Sequence, residues 1–137
     1  MSCLAGKRVL VVEDAWVVAK ALQSLFEEVG LVVSGPTATV AGAERLVSEQ
    51  VPHLAVVDLK LKRQMAFGLI DDLHNRGVSV VVVSGMVSAM PATAAAIVEK
   101  PFSKTELIET LCNVLLRDHR HTREKCVCCE TEQSTQQ

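Results

Sequence analysis

The chain has 137 residues, 49% of them hydrophobic, and balances 14 Lys and Arg against 16 Asp and Glu for a formal net charge of -2. That length supports one domain with a substantial core rather than two marginal ones, and the near-neutral charge excludes a whole-chain basic field suited to wrapping nucleic acid. No apolar run reaches the roughly 20 residues of a membrane span, and the opening segment turns acidic too early for a secretion signal, so a soluble cytoplasmic protein without membrane insertion is expected.

In chain order, Val9-Leu10-Val11-Val12 is a short branched run that predicts a buried strand. Val18, Leu22, Leu25 and Val29 then recur at helical spacing until Gly30 stops the pattern. Leu31 to Ser34 predict a second strand, with Gly35-Pro36 as the turn after it. Val40, Ala43, Leu46 and Val47 describe a second amphipathic helix, weakened slightly by Gly42, that must end before Pro52 because the position preceding a proline resists helical geometry. Leu54 to Val57 predict the third strand, and the polar, basic stretch Lys60 to Gln64 the loop beyond it.

Phe67, Ile70, Leu73 and His74 predict a third helix with Asp71, Asp72 and Arg76 on its wet side and Gly77 at its close. Val78 to Val83 give the strongest strand signal, ended by Ser84-Gly85. Small residues and Pro91 leave Met86 to Ala96 with little apolar surface, so one short or irregular helix is expected there. Ile97-Val98 predict a brief last strand, and Ser103-Lys104-Thr105-Glu106 a capping box that opens a final helix carrying Leu107, Leu111, Val114 and Leu115.

Strands that are apolar throughout, alternating with helices, predict a doubly wound α/β fold around a five-stranded parallel sheet. Residues 1–120 form that domain, and 121–137 read as a polar, flexible tail. Only 3% of the chain is aromatic, with no Tyr, so the core must be packed from Val, Leu, Ala and Ile. The five cysteines are odd in number and gathered mostly in the tail, which fits reduced thiols better than a disulfide framework.

Open α/β sheets present reactive groups beyond the carboxyl ends of their strands. Glu13-Asp14 after the first strand and Asp58 after the third therefore face one crevice if those strands are neighbours. Like charges that close require a cation. Mg2+ fits, with Asp14, Asp58 and a backbone carbonyl near Lys60 as oxygen ligands and Glu13 acting through a water or setting local charge. Given a phosphoryl donor, Asp58 is the candidate nucleophile and site of phosphorylation, Lys100 the counter-charge for the acyl phosphate, and Ser84 a hydrogen-bond donor to it. Each residue alone is ordinary strand-end polarity; it is their order, each behind its own strand, that points to chemistry.

Those four segments, Val11-Val12-Glu13-Asp14, Val56-Val57-Asp58-Leu59, Val83-Ser84-Gly85 and Lys100-Pro101-Phe102, resemble the response-regulator receiver domain of two-component signalling, over about residues 7–117. The resemblance implies the flavodoxin-like topology and a phosphoryl group passed from the phosphohistidine of a histidine kinase or phosphotransfer protein to Asp58. It also implies magnesium dependence and a switch on the face of the last two helices and last strand. Self-catalysed phosphotransfer and intrinsic hydrolysis of the aspartyl phosphate follow, without conventional turnover. Lys60 and Met86 occupy the positions that tune phosphoryl lifetime in receivers, and Ile97 replaces the usual switch aromatic.

The chain departs from the common pattern elsewhere. It has Lys62 where a proline is usual, Ala66 where a glycine is usual, and a shortened Ser84 to Lys100 interval, which resembles divergent single-domain alpha-proteobacterial receivers. A rival reading is a receiver-like interaction module that is not phosphorylated. The basic cluster Lys60, Lys62 and Arg63 reads as a solvated loop or a lure for the partner, and is too short for nucleic acid. Trp16 is expected either to touch a partner or to pack on the adjacent loop. His119, His121, Cys126, Cys128 and Cys129 include zinc-type ligands, yet adjacent Cys128 and Cys129 fit a finger poorly. Output through protein contacts is expected, as a stand-alone regulator, shuttle or sink, with homodimerisation open.

Overall fold

Branched apolar runs become the central strands of a parallel sheet whose two faces are both buried. The computed structural model describes residues 3–61, 64–85 and 91–122. In chain order the elements are β1 (Arg8–Val12), α1 (Trp16–Glu28), β2 (Val32–Thr37), α2 (Val40–Glu49) and β3 (Leu54–Asp58), followed by a short ribbon of β4 (Lys60–Leu61) and β5 (Gln64–Met65). Then come α3 (Phe67–Asn75), β6 (Ser79–Ser84), β7 (Ala96–Glu99) and α4 (Lys104–Thr122). The large sheet has the order β2-β1-β3-β6-β7, all pairings parallel. This is the doubly wound, flavodoxin-like arrangement.

Period-two alternation divides the sheet's side chains between two cores. Val9 and Val11 of β1, Leu54 and Val56 of β3, and Val81 and Val83 of β6 pack with Leu22, Leu25 and Phe26 of α1 and Leu107, Leu111 and Val114 of α4. Their neighbours Leu10, Val12, Ala55, Val57, Val80 and Val82 pack against Ala43 and Val47 of α2 and Leu69, Ile70 and Leu73 of α3. Both sets are essentially sealed from solvent. At about 25 cal/mol per Å2 of buried apolar area, this two-sided burial is the dominant stabilising contribution.

Several expectations need correction. Strand β2 does not stop at Ser34 but continues through Gly35-Pro36 to Thr37. It lies at the sheet edge, where a proline's missing N–H breaks no ladder, and its register to β1 shifts between Leu10 and Val12. Gly35 makes this course possible: its φ is +96°, and a Cβ there would meet the Thr37 amide nitrogen at 2.9 Å. Lys60 to Gln64 is not simply a loop, because Lys60 pairs with Met65 and Leu61 with Gln64 in an antiparallel ribbon. Phe67 is an exposed residue at the start of α3, and His74 is exposed too; Leu69 takes the core position beside Ile70 and Leu73.

The segment before β7 shows no helix over residues 91–95, only a turn at Ala92-Thr93. Met86 to Met90 lie outside the described residues. Three bonds hold the turn in place: the Thr93 hydroxyl donates to Asp71 Oδ1 at 2.6 Å, the Ala95 N–H to the Val80 carbonyl at 2.8 Å, and the Arg117 guanidinium to the Ala95 carbonyl at 2.9 Å. Polar bonds there do the work that an apolar helix face would otherwise do. In α4 the Ser103 hydroxyl accepts the Glu106 N–H at 3.0 Å, one half of the anticipated capping box. The helix runs to Thr122, two residues past the expected domain boundary; residues 123–137, including Cys126, Cys128 and Cys129, lie outside the described residues.

Candidate functional site

The sheet register assembles the site. Val12 pairs with Val57, so Glu13 leaves β1 level with Asp58, the last residue of β3. Asp58 pairs with Val83, and Ser84 with Glu99, so Ser84 and Lys100 step across the same carboxyl-terminal edge. The adjacent strands β1 and β3 lead to helices on opposite faces, which makes the crevice between their ends the topological switch point of the fold.

Lys100 sits at the centre of the charge network. Its Nζ lies 3.2 Å from Glu13 Oε1 and 3.3 Å from Asp58 Oδ2. The second oxygen of Glu13 accepts the Ala15 N–H at 3.1 Å, and Oδ1 of Asp58 accepts the Lys60 N–H at 3.3 Å. The Lys100 N–H in turn donates to the Ser84 carbonyl at 2.8 Å, tying the start of its loop to β6. Glu13, Asp58 and Ser84 are the buried polar residues of the described chain, whereas Asp14 is half-buried.

Burial pushes the Glu13 carboxyl above its ordinary range; the Ala15 amide pulls it down, and the Asp58 carboxylate adds to the rise against the opposing pull of Lys100. For Lys100, burial alone would lower the pKa, but the Asp58 and Glu13 carboxylates more than reverse this and hold it above the usual lysine range. The site is thus short of positive charge. Glu13, Asp14 and Asp58 each offer a carboxylate oxygen within 4.8 Å of the others, a set of hard donors that fits a divalent cation.

The ribbon explains how Lys60 joins this set. The Ala66 N–H bonds the Leu59 carbonyl at 2.8 Å, so by antiparallel alternation Lys60 and Met65 form the pair that exchanges no ribbon bonds. The Lys60 N–H faces Asp58 instead, and in extended backbone the carbonyl of the same residue points to that side too. The exposed Lys60 side chain is not needed for this role.

The structure therefore brings together Glu13, Asp14, Asp58, Lys60, Ser84 and Lys100. Ile97 is elsewhere: it is half-buried in β7, packed against the core beneath α2 and α3. Met86, Lys62 and Arg63 lie outside the described residues. Trp16 is 70% exposed, two residues beyond Asp14, with Lys20 Nζ 5.3 Å from its ring centre. Sequence reasoning gave Glu13 an outer role. Its burial and its bond to Lys100, 87 positions away, show it to be as central as Asp58.

Residues 9–112 match the response regulator receiver domain family. Among solved structures, the chain is similar to a CheY-like response regulator receiver domain protein from Methanospirillum hungatei, at 24% identity and a TM-score of 0.76, over 86% of this chain and 98% of that one. The corresponding figures are 21%, 0.71, 82% and 92% for the PhyR receiver domain of Erythrobacter litoralis, and 23%, 0.70, 80% and 94% for a response regulator receiver protein from Burkholderia phymatum. These likenesses show a common fold. No curated protein matches the sequence.

Proposed function

The chain belongs to the response regulator receiver domain family, which supports a role in phosphorylation-based signalling, and on that premise we propose that Asp58 is its phosphoacceptor. The donor is the phosphohistidine of a histidine kinase or phosphotransfer protein. The observation that carries this reading is the convergence of Lys100 on Asp58 and Glu13 at 3.3 and 3.2 Å beside a third carboxylate, Asp14.

Asp58 is held through both oxygens, by the Lys60 amide and by Lys100, and each oxygen keeps a further lone pair. One of these attacks phosphorus; the new O–P bond forms as the P–N bond to the donor imidazole breaks, and the electron pair leaves on that nitrogen. No general base is required, because a carboxylate nucleophile has no proton to give up in this step. Lys100 would follow the added negative charge, and Ser84, one residue past the strand neighbour of Asp58, would donate to a phosphoryl oxygen. Glu13, Asp14, Asp58 and the Lys60 carbonyl would hold Mg2+. When bound, that ion neutralises charge on the carboxylates and on the phosphoryl group.

The signal leaves through protein contacts at the face of β7 and α4. Among the described residues no helix is long and apolar enough to cross a membrane. Incubation with Mg2+ and acetyl phosphate, then with a panel of phosphorylated kinases, tests the reading. An acid-labile gain of one phosphoryl group at Asp58, lost in Asp58→Asn, is expected. Unmodified protein across the whole panel, with partner binding that ignores phosphate, would identify an interaction module built on the receiver scaffold.

A further inference from the structure

The two cysteines outside the tail are 109 positions apart in sequence, yet their sulfurs lie 3.0 Å from each other in the core. Cys3 precedes β1, and Cys112 lies in α4; both are at most 5% exposed and pack with Leu4, Phe26 and Leu111 on the same face of the sheet. We propose that Cys3 and Cys112 are an oxidation site at which a hydroperoxide closes an intramolecular disulfide between the amino-terminal segment and the last helix.

Closing the bond shortens the sulfur separation from 3.0 Å to about 2.05 Å, a movement of about 1 Å. Burial protects both thiols in the closed fold, so an oxidant must reach one of them through local opening. Cys3 is the one that opens. Between it and β1 the segment is fastened by the Gly6 N–H to the Gly30 carbonyl at 2.9 Å, by the Val32 N–H to the Lys7 carbonyl at 2.8 Å and by the side chains of Cys3 and Leu4, whereas Cys112 lies mid-helix. Residues 3–6 form a turn outside regular secondary structure, and such a turn opens at lower free energy than a helix packed on the core.

The chemistry balances with two electrons from the thiols and two taken up by the peroxide. The Cys3 thiolate attacks a peroxide oxygen, the O–O bond breaks, and the departing oxygen takes the thiol proton to leave as water, or as an alcohol from an organic peroxide. The segment recloses with a sulfenic acid on Cys3. Cys112 sulfur then attacks Cys3 sulfur, the S–S bond forms as S–O breaks, and the hydroxide leaves as water with the Cys112 proton. The product ties the chain's start to the helix that follows Lys100, without using Asp58.

The test uses the reduced full-length chain, treated with stepwise hydrogen peroxide, alkylated and digested with trypsin. Cys3 falls in peptide 1–7, Cys112 in peptide 105–117, and all three tail cysteines in peptide 126–137. Peptides 1–7 and 105–117 should appear joined, two hydrogens lighter than their sum, and separate again with dithiothreitol. The joined species should be several-fold more abundant when oxidation is done on folded protein than in urea, and absent from Cys3→Ser and from Cys112→Ser. The proposal is overturned if peroxide consumes the tail thiols while peptides 1–7 and 105–117 stay separate and alkylated. Peptide 1–7 joined to 126–137 instead, or equal yields with and without urea, would overturn it as well.

Discussion

Replacing Lys100 with methionine keeps most of the side chain's length and removes the ammonium that bridges two buried carboxylates. That ammonium sits 3.2 Å from Glu13 and 3.3 Å from Asp58, whose side chains are only 2% and 10% exposed. At an effective dielectric constant near 20, each pair contributes roughly 5 kcal/mol of Coulomb attraction, offset by several kcal/mol of desolvation per ion. Removing one partner of a buried pair typically costs about 3–5 kcal/mol. Lys100 is itself 29% exposed, so solvent screening brings the expected loss to about 2–4 kcal/mol. Urea unfolding at pH 7 in the presence of a chelator measures it.

The Glu13 carboxyl is already held above 4.5 by burial and by Asp58, and loss of Lys100 raises it further. A carboxyl whose folded pKa exceeds its unfolded value loses stability as pH rises through the folded value, and regains it as protons return. The deficit of Lys100→Met must therefore narrow as pH falls from 7 towards 4.5. The variant must also bind Mg2+ more tightly than the parent, because the ammonium no longer competes for the same carboxylates, so saturating Mg2+ stabilises it more. A variant as stable as the parent in chelator, or one with unchanged Mg2+ affinity, would refute the shared-cation account of the site.

Other consequences are accessible to similar measurements. The carboxylates hold Lys100 above 10.5, so the stability it contributes is complete below that pH and lost as pH rises through the folded value; Asp58→Asn lowers that folded value, so the alkaline loss of stability should be smaller and end at a lower pH than in the parent. Gly42→Ala should destabilise by about 1–2 kcal/mol despite alanine's better helix propensity, because a Cβ there runs into the Thr37 hydroxyl between α2 and β2. Gly68→Ala, in open space on α3, should instead stabilise by about 0.5–1 kcal/mol, and opposite signs in paired urea melts check both. Ser103→Ala removes the hydroxyl that accepts the Glu106 amide and should cost about 1 kcal/mol, read as a lower thermal midpoint.

The sheet was legible because its central strands are buried on both faces and leave uninterrupted valine runs, most plainly at Val80 to Val83. The placement of the candidate site residues was legible for a related reason: a carboxylate, hydroxyl or ammonium ending such a run has to emerge at the sheet's carboxyl edge. What escaped was whatever depends on tertiary position rather than local pattern. Pro36 reads as a strand breaker until β2 is known to be an edge strand, where no partner needs its N–H. The Lys60 ribbon is two residues per arm, too short to show any alternation. Glu13 and Asp14 are equivalent as letters, and only the register that sets Glu13 opposite Asp58 separates a buried partner of Lys100 from a half-exposed one. The meeting of Cys3 with Cys112 likewise has no local signature.

Trp16 gives the molecule a built-in optical probe. The chain holds one tryptophan and no tyrosine, so its ultraviolet emission arises almost wholly from a single indole. That ring stands in solvent, two residues past Asp14 and beneath the Lys20 ammonium. Emission from that indole, two positions along the chain from Asp14, is therefore the natural signal to record on the unlabelled protein while Mg2+ is added.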